Sequence, residues 1–325
     1  MESCLRVRLC QFGEHRCRGS KIKSMEVVKI TPRGYCHGVV DAIKIARKLS
    51  AEAASEAVPQ PIHMLGYLVH NEHVTDELKE DGVDLIDEDD RFAGLQQIDE
   101  GTVIFTAHGV SPQVKQQAEA MGLQAVDATC SDVVRTHDLV KDLAARDFHI
   151  FYIGQRKHPE PEGVIGEAPD RVHLLEPLDF EALNHVEFPT QKIAVTCQTT
   201  LSQWDTISTI EEIQRRWPHV EVYNEICKAT QERQEAAVAA AAEVDMVIVV
   251  GSSRSSNSKR LVQVVEELGH KPAHLVDSPA DIDNTWFEGV DRVGVTSGAS
   301  TPTWMTRKVI EHLEKLGAGD LVAAE

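Results

Sequence analysis

The sequence has no apolar run long enough to cross a membrane. The longest, residues 244–250, is interrupted by Asp245 and falls far short of the roughly 20 residues that a spanning helix needs. It has no excess of positive charge either. Lys and Arg total 33 against 52 Asp and Glu, for a formal net charge of −19, which argues against general nucleic-acid binding. No two cysteines form a C-x-x-C pair, which disfavours a zinc finger or a thioredoxin-like site. G-x-G-x-x-G, Walker A and G-x-S-x-G patterns are missing too, so no dinucleotide, P-loop or hydrolase-elbow fingerprint is present. A reductase built on this chain is therefore expected to take its electrons from a protein. Seven cysteines are an odd count with no disulfide framework, and no apolar stretch follows the basic opening segment. Both features point to a thiol-reducing, cytoplasmic setting.

The opening 24 residues run against the rest. MESCLRVRLCQFGEHRCRGSKIKS holds six Lys/Arg and two acids, so the remaining body is more acidic than the whole. Lacking clear periodicity, segment 1–24 fits a flexible arm, a transit peptide or a start codon set too far upstream. The preferred reading is a dispensable, disordered extension. A body this acidic repels anions, so a phosphorylated ligand needs a locally built site.

From residue 26 onward, short β-rich runs alternate with helical patterns. Strands are expected at 27–30, 103–106, 148–153, 193–196, 244–250 and 292–296. Helices are expected at 39–49, 112–121, 133–145, 203–217, 231–242, 258–268 and 302–316. Such alternation argues an α/β fold with largely parallel sheets.

Cysteine suggests how the chain divides. Cys36, Cys130 and Cys227 are 94 and 97 residues apart, and each follows a β-rich or turn segment and precedes a helical one. The spacing proposes three similar α/β units, at 25–130, 131–227 and 228–325, each delivering one thiolate to a shared centre. Three thiolates from separate segments can hold a 4Fe–4S cluster with one iron not ligated by protein, an electron carrier and Lewis acid in one group. They also fit three ordinary buried thiols. Cys197, inside a β-rich run, is read in that second way.

Polar residues gather where strands run into helices, and parallel α/β sheets bind ligands at those strand ends. The run 103–106 leads to His108 and then to Ser111-Pro112, a helix start. The run 193–196 leads to Cys197-Gln198-Thr199-Thr200, 244–250 leads to GSSRSSN, and 292–296 leads to SGASTP. Hydroxyls, amides and an imidazole beside free helix N–H groups make an anion site without a cationic surface. His70, His108 and His158 stand in turn-like polar contexts, where they serve either an anionic ligand or a plain surface or capping role. HPEPEG is a proline-broken segment not expected inside a regular helix. Its Glu160 and Glu162, with nearby Glu167, are candidate proton donors to a departing oxygen, and nothing local chooses among them.

Eight segments, PRGYCHGV, LVHNEHV, TAHGV, DATC, HPEPEG, QTTLS, GSSRSSNSKRL and GVTSGASTP, occur in the order in which the IspH/LytB family carries them. Across residues 25–316 the chain resembles that family. The resemblance implies three α/β units with small, mostly parallel sheets around a central 4Fe–4S cluster, ligated by Cys36, Cys130 and Cys227. It implies reduction of 4-hydroxy-3-methylbut-2-enyl diphosphate to isopentenyl and dimethylallyl diphosphate, the last step of the non-mevalonate isoprenoid route, with electrons from a ferredoxin or flavodoxin. His70, His108, Ser255, Asn257 and Ser300 would hold the diphosphate, with Ser256 nearby and His158 lining the same pocket. Thr199 and Glu160 would relay a proton to the substrate hydroxyl, with Glu160 its source. Three positions depart from the family's usual pattern: His37 follows Cys36, Ser131 follows Cys130, and Cys197 precedes Gln198-Thr199-Thr200. Readings of other classes are a redox-neutral 4Fe–4S dehydratase, a diphosphate or redox sensor without turnover, and a zinc-bearing structural protein.

Overall fold

The computed structural model describes residues 24–53, 58–188 and 191–318. The basic segment expected at 1–24 thus lies outside the described residues except for its last position. The chain opens with β1 (Glu26–Lys29) and α1 (His37–Ala53). The next stretch carries β2 (Ile62–Leu65), α2 (Glu72–Glu80), β3 (Val83–Ile86), α3 (Arg91–Leu95), β4 (Thr102–Phe105), α4 (Pro112–Ala120) and β5 (Gln124–Asp127). After α5 (Ser131–Ala145) come β6 (His149–Ile153), α6 (Pro159–Ile165), β7 (Val172–Leu175), β8 (Ile193–Cys197), α7 (Gln203–Arg216) and β9 (Glu221–Val222). The last stretch holds α8 (Lys228–Ala241), β10 (Met246–Val250), α9 (Ser256–Glu267), β11 (Ala273–Val276), β12 (Arg292–Ser297) and α10 (Thr303–Ala318).

These strands form three four-stranded sheets, all of whose described pairings are parallel. Their orders are β3-β2-β4-β5, β7-β6-β8-β9 and β11-β10-β12-β1. One pattern runs through all three, with the N-terminal strand β1 taking the fourth place in the last sheet. It pairs with β12 in the register Glu26↔Arg292 to Lys29↔Val295. The expected unit 25–130 therefore yields its first strand to the sheet built by the end of the chain. Four residue pairs in parallel register with β12 place this strand there and not beside β2.

Parallel sheets are covered on both faces, and their inner strands read as apolar runs. All five residues of β10 and of β8 are buried. Because side chains alternate across a strand, each sheet feeds two cores. Ile248 and Val250 pack with Val309 and Leu313 of α10, whereas Val247 and Val249 pack with Ala237 and Ala241 of α8 and Leu261 and Val265 of α9. Likewise Phe151 and Ile153 join Ile210 and Ile213 of α7, while Ile150 and Tyr152 meet Val140 and Leu143 of α5.

All six expected strands and all seven expected helices are present, with ends displaced by a few residues. Six further strands were not legible. β5 and β9 are largely exposed edges, and β3, β7 and β11 are four-residue strands at the opposite edges. Such strands lack an apolar run. HPEPEG, not expected inside a regular helix, forms the start of one: it opens α6, with His158 as N-cap and Pro159 in the first turn. Proline is tolerated there because a first-turn N–H has no intrahelical acceptor to lose.

Candidate active site

Nine strands deliver polar or thiol side chains to one central cavity, which encloses about 730 Å³ of non-atom space open to solvent. The shared sheet pattern orders them. The segments after β5, β9 and β1, the fourth positions of the three sheets, supply Cys130, Cys227 and Cys36. Those after β2, β6 and β10 supply His70, then His158 with Glu160, then Ser255, Ser256 and Asn257. Those after β4, β8 and β12 supply His108, Thr199 and Ser300. The remaining strands β3, β7 and β11 lie at the far edges and supply none. Every site residue that the family resemblance implies lines this cavity.

Each cysteine stands immediately before a helix. Cys130 and Cys227 are the N-caps of α5 and α8, and the Cys36 carbonyl accepts from Val40 N at 3.1 Å in the first turn of α1. Three helix N-termini therefore turn partial positive charge toward the thiols. Burial pushes the Cys130 thiol up to about 11, and the neighbouring Cys36 thiol adds to it. Burial also raises Cys227, partly offset by Thr230, whose hydroxyl lies 3.2 Å from its Sγ. A Cβ at Gly38 would overlap Cys130 Sγ and stand 2.9 Å from its Cβ, so only glycine lets the two segments approach. Cys197 is apart from this group. It is buried on β8, donates to Asn224 Oδ1 at 3.6 Å, and is pushed up to about 12 by burial.

The imidazoles of His70 and His108 stack with centroids 4.1 Å apart, and His158 meets both edge-on at 5.4 and 5.5 Å. Burial holds His70 down at about 4 and His158 at about 3, and His108 well below its ordinary value. Arg91 adds to all three, and Lys259 to His70 and His158. In the free protein the ring is neutral. His158 Nδ1 accepts from Glu160 N at 3.2 Å, which leaves its ring proton on Nε2.

Around the imidazoles lies the start of α9. Ser255 caps it by accepting from Ser258 N at 3.2 Å, Ser300 Oγ lies 3.4 Å from Ser255 Oγ, and Ser256 Oγ donates to Gln155 Oε1 at 2.8 Å. Asn257 is 5% exposed, yet neither atom of its amide meets a partner among the described residues. An unpaired buried amide is costly, and this one lines a cavity.

Glu160 is 1% exposed. Oε1 accepts from Thr199 N at 2.7 Å and Oε2 from Thr199 Oγ at 3.0 Å. Burial raises its carboxyl to about 7, against the lowering effect of the Thr199 bonds. Neither Glu162 nor Glu167 lines this cavity; Glu167 instead binds His137 Nδ1 at 2.7 Å. Sequence reasoning missed Asp132 and Thr230 in the wall, and gave His37 no place there. His37 Nε2 lies 4.0 Å from Cys130 Sγ and 3.5 Å from Asp132 Oδ2. Asp132 and Thr230 sit two and three residues after a cysteine, within the first helical turn, and that offset was the available signal.

A family model described as LytB protein matches residues 27–314. The 4-hydroxy-3-methylbut-2-enyl diphosphate reductase of Symbiobacterium thermophilum is 58% identical over 292 residues, covering 90% of this chain and 97% of that protein. The enzyme of the same description from Exiguobacterium sibiricum is 51% identical over 298 residues, covering 91% and 93%. A solved structure of E-1-hydroxy-2-methyl-but-2-enyl-4-diphosphate reductase from Plasmodium falciparum matches with a TM-score of 0.81 at 31% identity, covering 89% of this chain and 87% of that one. A second solved structure, of an (E)-4-hydroxy-3-methyl-but-2-enyl diphosphate reductase described as the terminal enzyme of the non-mevalonate pathway, matches at 0.60 with 29% identity, covering 90% and 99%.

Proposed function

The chain belongs to the LytB protein family, and from that premise we propose that it reduces 4-hydroxy-3-methylbut-2-enyl diphosphate to isopentenyl and dimethylallyl diphosphate. Two electrons and two protons enter, and the allylic oxygen leaves as water. Family membership implies an iron–sulfur cluster. The donor set suits one: three thiols from three equivalent positions line one cavity, and glycine at position 38 keeps the space beside Cys130 clear. Cys36, Cys130 and Cys227 would hold it as thiolates, leaving one iron without a protein ligand. Such a cluster, when bound, supplies electrons one at a time and a Lewis-acidic iron. The electrons come from a ferredoxin or flavodoxin, in a thiol-reducing cytoplasm.

The diphosphate is held by Asn257, Ser255, Ser300, His70 and His108, with Ser256 and His158 beside them. This wall offers neutral donors and a helix N-terminus, so it accepts an anion inside an acidic protein. Glu160 is the proton source. Thr199 N–H fixes one carboxyl oxygen. When the other oxygen carries the proton, its bond to Thr199 reverses, and the hydroxyl passes a proton on toward the substrate oxygen. A hydroxyl can do this because it donates once while accepting.

The observation that carries the reading is this buried, near-neutral carboxyl sharing one cavity with three thiols and an unpaired amide. Its test is iron and acid-labile sulfide per chain on anaerobically purified protein, followed by turnover with and without reductant. About four of each per chain, with turnover that needs reductant, is the expected result. Zinc, or no metal after anaerobic reconstitution, refutes the cluster, and turnover without reductant refutes the reduction.

A further inference from the structure

Arg233 lies in α8, two turns below Cys227, and is 4% exposed. Its Nη1 donates to Ala229 O and its Nη2 to Gly34 O, both at 2.7 Å. Ala229 is two residues after Cys227, and Gly34 is two residues before Cys36. The Gly34 segment is held from its other side as well: Gly34 N donates to Ser297 Oγ at 2.7 Å, and Cys36 N to Ala299 O at 3.1 Å. The third nitrogen of the guanidinium, Nε, is buried without a partner among the described residues. No carboxylate there pairs with Arg233 either. A buried cation lacking a counter-charge is strongly unfavourable, and helix packing alone would be served as well by leucine.

We propose that Arg233 is a positioning residue for the cysteine-bound cofactor, tying the Cys36 segment to the Cys227 helix and placing a fixed positive charge beside both. The counter-charge missing from the free protein is then that of the thiolates and their cluster. The electrostatics agree: once ionised, Cys36 and Cys227 are the largest charges favouring the guanidinium against its own burial, ahead of Glu232. Two consequences separate. The charge acts on redox balance, because a cluster held by three thiolates is an anion and gains negative charge on reduction. A neighbouring cation therefore favours the reduced form and raises the potential. The fork acts on geometry, because guanidinium reaches two carbonyls at once, which an ammonium on a flexible stem does not.

This inference rests on the cluster reading, and the experiment keeps the two apart. Iron and sulfide are measured first on the wild-type chain; their absence sinks the cofactor reading before any variant matters. With the cluster present, Arg233→Gln and Arg233→Lys are compared by redox titration followed spectroscopically and by the rate of iron loss to a chelator. Arg233→Gln is expected to shift the midpoint to more negative potential. Arg233→Lys is expected to keep the wild-type midpoint while losing iron faster. An unshifted midpoint in a fully loaded Arg233→Gln protein overturns the charge role. Should Arg233→Gln fail to fold or load, Arg233→Lys decides alone, and wild-type iron retention in it overturns the positioning role.

Discussion

Replacing Glu160 by Gln changes one proton and almost no volume. The Gln carbonyl still accepts from Thr199 N–H, and its amide donates to Thr199 Oγ, so the pocket keeps its shape. Proton delivery is lost. General-acid catalysis is worth about 10²- to 10⁴-fold, and kcat is expected to fall by that range while substrate affinity stays near wild type. The pH profile carries the same logic. With the carboxyl at about 7, the wild-type rate should hold below neutrality and decline about tenfold per pH unit above it.

Stability should move the other way. The carboxyl is raised from 4.5 to about 7 by burial, so the folded state holds a proton that the unfolded chain has released. Stability is then full below pH 4.5, falls as pH rises toward 7, and levels off beyond. The loss is roughly 3 kcal/mol at about 1.4 kcal/mol per unit. Glu160→Gln has no such loss, so its melting temperature relative to wild type should climb between about pH 5 and about pH 8. A merely structural glutamate would not give a dead but sturdier variant. A kcat within about tenfold of wild type, or a wild-type rate flat across about pH 6 to 9, would place the acid elsewhere.

Gly38→Ala forces a methyl into the Cys130 thiol; circular dichroism should stay native while iron per chain drops, and full iron loading would refute the fit argued for the cysteines. Asn257→Ala removes two unpaired buried polar atoms, so the free protein should become more stable. Diphosphate affinity should fall on the order of 10- to 100-fold, read by calorimetry; unchanged affinity removes Asn257 from the pocket. Because burial holds His70 near 4 and His158 near 3, a diphosphate among the three rings raises them, and affinity should increase as pH falls. Calorimetry in two buffers of different ionisation enthalpy at about pH 6 should show proton uptake, and none would refute protonation of the imidazoles and leave them as neutral donors.

The sequence carried the site further than it carried the fold. Motif resemblance selected side chains that share a cavity, whereas strands without an apolar run, such as β5 with only Val126 half-buried, stayed hidden. The errors at helix starts are instructive. The apolar pattern began two residues late for α1, α5 and α9 and three late for α8. Their first turns hold His37 and Gly38, Ser131 and Asp132, Ser256 and Asn257, and Lys228 with Thr230. Periodicity measures which face is buried in a core, and these turns face the cavity or solvent instead. The late starts mark the site. The resemblance alone singled out Glu160, and local pattern could not, because its distinction from Glu162 is burial against Thr199, a residue 39 positions away.

On the proposed reading, a chain of net charge −19 would have to hold thiolates and a diphosphate at its centre, and the geometry offers a way. Distant surface charge is screened by solvent and salt over about 10 Å, so what decides is the innermost layer. There, three helix N-termini stand behind the cysteines, a fourth carries Ser255 and Asn257, and a fifth carries His158 and Glu160. Fixed cations are sparse and placed behind this layer: Arg233 beside the cysteine segments, Arg91 and Lys259 near the imidazoles. Each sheet contributes one cysteine and two further polar strand ends, so no sheet alone supplies more than three of the nine strand ends that reach the cavity. The third cysteine arrives through β1, whose pairing with β12 joins the beginning of the described chain to its end. The strand that pairs with β12 is thus the one that leads to the third cysteine. A cofactor bound by all three cysteines would therefore stabilise the β1–β12 junction, since a ligand held only by the closed form shifts the equilibrium toward it.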